Sequence, residues 1–167
     1  RALDPVSLIE AVEALGAKVL HQWASLGESG LIARLASSEF LIENNAAQDD
    51  VDRVRTRLGR GVAGVTPVLR QDAEIALAGP RGNELLLQTC SVNFASLDLG
   101  ARPIVMTSMI GVSVLLLPGT RRGGAFYQIW CDGTYGIYLW QHLLEIAEEL
   151  DGGAVGIEQQ RRRQQML

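Results

Sequence analysis

Residues 104–117 read IVMTSMIGVSVLLL and form the most apolar stretch of the 167-residue chain. The stretch is shorter than the roughly 18 apolar residues that a membrane-spanning helix requires. Thr107, Ser108, Gly111 and Ser113 also interrupt it. Bounded by Pro103 before it and by Pro118-Gly119 after it, the stretch reads as one long β-strand.

Working outward, residues 118–124 (PGTRRGG) connect this strand to a second one at 125–131 (AFYQIWC), a hairpin with Arg121 and Arg122 at its tip. Upstream, residues 65–69, 73–78 and 84–94 are strand candidates, and Gly79-Pro80-Arg81-Gly82-Asn83 has the chemistry of a turn joining the last two. Residues 96–102 read as a loop. A doubly wound parallel sheet needs a helix between successive strands, and 65–131 offers none on this reading, so the sheet is expected to be antiparallel.

Helical patterns flank the strands. Asp4-Pro5 is a helix-start signal, and Ile9, Val12, Val19, Leu20 and Trp23 fall at helical spacing, predicting a helix over 6–25. After a glycine-containing break at 26–30, Leu31, Ile32, Leu35, Phe40 and Leu41 suggest a shorter second helix. A third begins at Asp49-Asp50, where acidic residues precede Arg53, Arg55, Arg57 and Arg60 in the order that suits the helix dipole. At the other end, Asp132-Gly133-Thr134 can cap a helix whose Ile137, Leu139, Trp140, Leu143, Leu144, Ile146, Ala147 and Leu150 are apolar almost all round, predicting deep packing. Gly152-Gly153 stops it. The expected fold is α+β: an antiparallel sheet of about five strands packed with N-terminal helices and a C-terminal helix. It forms a single domain over 1–157, followed by a polar tail at 158–167.

Fifteen basic and nineteen acidic side chains give a net charge of −4, which argues against nucleic acid as the main partner. Cys90 and Cys131 are too few for a disulfide scaffold and lie in no CxxC spacing, so a reducing, cytoplasmic location is the simpler expectation. No transmembrane segment is expected.

Few motifs carry chemistry. Gly59-Arg60-Gly61-Val62-Ala63-Gly64 matches the dinucleotide fingerprint in letters, but it follows a helix and precedes a strand, the reverse of the order that places pyrophosphate on a helix N-terminus. Cys131, just before a helix, could gain thiolate character from the dipole, with His142 as base. Two helical turns separate them, however, so a packed cysteine is the better reading. His21, His142, Cys90 and Cys131 show no zinc-site spacing. No catalytic residue, metal ligand or cofactor is therefore assigned.

The aromatics Phe126, Tyr127, Trp130, Tyr135, Tyr138 and Trp140 cluster in the last hairpin and helix. Strand alternation puts Phe126, Gln128 and Trp130 on one face and Tyr127, Ile129 and Cys131 on the other. Large apolar groups on both faces suggest that one of them is covered by another chain. The leading expectation is a non-enzymatic protein-binding or assembly domain that uses an apolar sheet face and its terminal helix. Tyr127, Trp130, Tyr138, Trp140, Arg121 and Arg122 would contact a protein partner, which can include a second copy in a homodimer. The alternative is a small-ligand sensor or regulatory domain with a pocket between sheet and helices, drawing on Thr89, Ser91, Asn93, Thr107, Ser108 and Ser113. A cysteine-dependent enzyme centred on Cys131 ranks third.

Overall fold

In the computed structural model, the described residues are 21–26, 30–43, 51, 52, 56, 65–121 and 124–156. Strands β1 (Gln22–Leu26), β2 (Gly30–Arg34) and β3 (Phe40–Glu43) form one antiparallel sheet in that order. After β4 (Asp72–Ala78) comes helix α1 (Gly82–Thr89), then β5 (Val105–Met109), β6 (Val112–Arg121), β7 (Gly124–Asp132) and helix α2 (Gly136–Glu149). The second sheet has the order β4-β7-β6-β5, with every neighbouring pair antiparallel. The chain is thus mixed α+β with antiparallel sheets of three and four strands, not one sheet of five.

The four-stranded sheet is covered on both faces by the chain itself. Leu116, Tyr127, Ile129 and Cys131 face α1 and α2 and pack with Leu85, Leu86 and Leu139. Leu115, Leu117 and Trp130 point the other way, onto Leu31, Ala33 and Leu35 of the three-stranded layer. This explains why 114–117 is continuously apolar: alternate residues serve two different cores.

The sequence 104–117 is not one strand but a hairpin, since Met109 pairs with Val112 across a two-residue turn at Ile110-Gly111. Both turn residues have positive φ, 50° and 79°, as a turn matching the twist of the strands requires. Gly111 adopts this freely, whereas the β-branched Ile110 does not. Tertiary bonds hold Ile110 in place: its N–H donates to the Thr89 carbonyl at 2.9 Å, and its carbonyl accepts from Tyr138. Residues 118–121, expected in a connector, continue β6. Pro118 is tolerated because β5 pairs with β6 only as far as Leu116, leaving the side where its N–H would lie without a strand partner among the described residues.

Four other expectations are corrected. Residues 31–41 form the β2–β3 hairpin rather than a helix: β2 is buried on both faces, so its apolar run lacks the alternation that marks a half-exposed strand. The end of the helix expected over 6–25 is strand β1, entered through His21 at φ 61°; residues 6–20 lie outside the described residues. Residues 84–94, read as a strand, begin with α1, whose buried Leu85, Leu86 and Thr89 have helical spacing. Arg81 supports its first turn by pairing with Glu84 at 2.7–2.8 Å. Residues 65–69 form no strand. Of the segment starting at Asp49-Asp50, only Val51, Asp52 and Thr56 are described, and they are helical. The tail at 158–167 lies outside the described residues.

Candidate functional site

Helix α2 is built onto the end of β7. Asp132 Oδ1 accepts from the Thr134 hydroxyl at 2.6 Å and from its backbone N–H at 2.9 Å, and these bonds hold the Asp132 carboxyl below the usual carboxylate range. Gly136 lets the helix start close to β4, since a Cβ there would come within 2.7 Å of the Ala73 Cβ.

The packing of α2 departs from the all-round burial expected for it. Leu139 and Leu143 are buried, with Ile146, Ala147 and Leu150 packed at the margin of the same core. Ile137 remains 75% exposed and Trp140 40%. With half-buried Leu144, these fall at i, i+3 and i+7 and mark a second apolar stripe on the outward side. Tyr138, 41% exposed, projects from a different side. Its hydroxyl donates to the Ile110 carbonyl at 3.3 Å, and its ring lies 4.2 Å from that of His142.

The aromatic positions singled out in the sequence therefore divide. Tyr127 and Trp130 are buried within this chain, on opposite faces of β7. Tyr127 hydrogen-bonds to Asn83 and meets Phe94 edge-on at 5.5 Å, and burial pushes its phenol pKa up. Tyr138 and Trp140 share the exposed part of α2. Arg121 ends β6, its side chain outside what is described, and Arg122 is not among the described residues.

Cys131 is buried against the helices, and that burial, followed by the nearby charges of Asp72 and Asp132, raises its thiol pKa. The neutral thiol is therefore favoured, the opposite of what a nucleophile needs. His142 Nδ1 lies 2.8 Å from the Tyr138 carbonyl. Among the described residues, no three His, Cys, Asp or Glu side chains are grouped to hold a metal ion. The polar positions proposed for a sensor pocket do not converge: Thr89 is buried and bonded to the Leu86 carbonyl, Asn93 caps a 3₁₀ turn, and Ser108 faces Ser113 across an exposed strand pair.

Two features went unnoticed in the sequence. Glu43, at the end of β3, meets Glu74 of β4, and its carboxyl pKa is raised to about 7 by burial, then by the charge and hydrogen bonding of Glu74. A cleft of about 320 Å³ opens between Trp23, Arg102 and the far end of the β6–β7 hairpin. No spacing in the sequence joins the members of either feature.

No protein-family profile and no curated protein matches the chain. Among solved structures it is similar to a chain of the heterotetrameric sarcosine oxidase from Corynebacterium sp. U-96, determined in complex with pyrrole 2-carboxylate. The TM-score is 0.65 and the identity 21%, over 89% of this chain and 75% of that one. At that identity the likeness is one of fold. Among the described residues, no helix is long and apolar enough to cross a membrane.

Proposed function

We propose that this chain is a non-enzymatic assembly domain that binds another protein chain through the outward stripe of α2. The observation that carries this reading is the exposure of Ile137 and Trp140 on a helix whose opposite side is already packed. A tryptophan beside aliphatic residues is the composition of an interface hot spot, and leaving it in water forgoes the burial that a partner would supply. The sheet faces first considered for this role are covered by the chain's own layers, so binding falls to the terminal helix. Fold similarity to a chain from a heterotetrameric enzyme supports a separate protein as the partner.

A photo-crosslinking residue at position 140, introduced in the native host, tests this together with solution mass. The expected result is a discrete crosslink to one other protein chain, lost when Ile137→Glu is added without a change in melting temperature. Crosslinking to a second copy, with a mass that doubles on concentration, would replace the separate partner by a homodimer. A monomer with no crosslink would overturn the reading.

A further inference from the structure

The cleft beside Trp23 offers chemistry that the α2 surface does not. Its floor is the part of the β6–β7 hairpin beyond Leu115 and Trp130, where Leu117 pairs with Gln128 and Gly119 with Phe126 on the face turned toward the three-stranded sheet. Gly119 leaves this floor hollow: a Cβ there would meet only the Phe126 carbonyl, at 3.9 Å. One wall is Trp23, with the Arg102 guanidinium carbon 5.5 Å from its ring centroid.

Arg102 and Trp23 are also locked through their backbones. The Trp23 N–H donates to the Arg102 carbonyl at 3.1 Å. Arg102 itself sits at φ 50°, its N–H donating to the Leu99 carbonyl at 3.0 Å. A non-glycine residue held in that region indicates a position fixed by its surroundings. Among the described residues no acidic side chain lines the cleft and no carboxylate pairs with Arg102. The Trp23 Nε1–H is shut off from solvent and has no acceptor among the described residues.

We propose that this cleft binds a small molecule carrying a carboxylate on a flat apolar body. The guanidinium fork of Arg102 matches the two oxygens of a carboxylate. The Trp23 ring, Leu117 and Phe126 provide apolar surface for the flat body. Thr120 and Gln128 add polar groups at the edge. A volume of about 320 Å³ is at the small end of ligand pockets, the size of one ring and its substituent. One arginine suits a monoanion better than a phosphate, which calls for more positive charge. The proposal stands independently of the assembly reading, because it uses the face opposite α2.

The test is a titration of the full 18.1 kDa chain with benzoate, followed by amide and indole NMR, with neutral benzamide as the matched control. Saturable shifts at the Trp23 indole N–H and the Gly119 amide are expected with benzoate, with benzamide binding weaker by about tenfold at the least. Arg102→Asn removes the charge while tolerating the left-handed backbone, and should abolish the benzoate response. Gly119→Leu should block it by filling the floor. Should Gly119→Leu fail to fold, Arg102→Asn decides alone. Equal binding of benzoate and benzamide, unchanged binding by folded Arg102→Asn, or no saturable shift would each overturn the proposal.

Discussion

The phenol of Tyr138 donates to the carbonyl of Ile110 at 3.3 Å, fastening the first turn of α2 to the tip of the β5–β6 hairpin. The orientation of the exposed helix therefore depends partly on a two-residue turn in left-handed backbone. Gly111→Ala introduces no clash, since nothing lies within 4 Å of the new Cβ, but places a side chain at φ 79°. A loss of about 1 kcal/mol is expected from the backbone alone, read as a lower urea midpoint at unchanged slope. Gly119→Ala, with similar open space and no positive φ, should show no such loss.

Burial separates the two tryptophans near the chain end. Trp130 fills the layer between the sheets, and Trp130→Ala should cost about 3–5 kcal/mol, or prevent folding. Trp140→Ala, on the outer side of α2, should change stability by about 0.5 kcal/mol or less while weakening the proposed association. Equal losses in denaturation midpoint for the two variants would contradict the assignment.

The meeting of Glu43 with Glu74 makes stability depend on pH. The folded-state pKa of Glu43, about 7, lies above its ordinary 4.5, so the folded state binds the proton more tightly than the unfolded chain. Its contribution is fully present below about pH 4.5 and is lost as pH rises through about 7. Glu43→Gln cannot ionise, and should raise the urea midpoint at about pH 8 by the equivalent of roughly 1 kcal/mol, a value discounted for partial solvent screening. At about pH 4 it should have little effect. Parallel wild-type and variant profiles would show that the pair does not govern this dependence.

Thiol labelling offers a fourth check. Buried Cys131, with its raised pKa, should resist iodoacetamide in the folded chain at neutral pH and react on unfolding. Half-buried Cys90 provides the internal comparison. Rapid labelling of native Cys131, mapped by peptide mass spectrometry, would return it to consideration as a nucleophile.

The elements legible in sequence were those in which one local pattern agreed with tertiary context. β7 alternates as a two-faced strand should, β4 is bounded by turn residues, and the Asp132 cap announces α2. The misread elements had tertiary causes. Ile110 occupies a turn position because distant groups hold it there, so no Asn-Gly signal marks the hairpin. β2 is apolar on both faces and mimics a short buried helix. In 82–89, turn chemistry outweighed the helix-forming run of Glu84, Leu85, Leu86, Leu87 and Gln88. Tyr138 and Trp140 could be named as surface candidates, but the separation of an inward from an outward stripe on α2 depends on which side the sheet occupies. Glu43 meets Glu74 only because two sheets stack, and Trp23 meets Arg102 because the chain ahead of β5 runs beside β1.

Pro118 has a wider consequence. Beyond Leu116 one margin of β6 has no strand beside it among the described residues, a place where an extended segment from another molecule could add itself to the sheet. A proline there withholds the main-chain donor such an addition would use, and so interrupts a continuous ladder. This end of the hairpin is thereby biased against fibrous self-stacking.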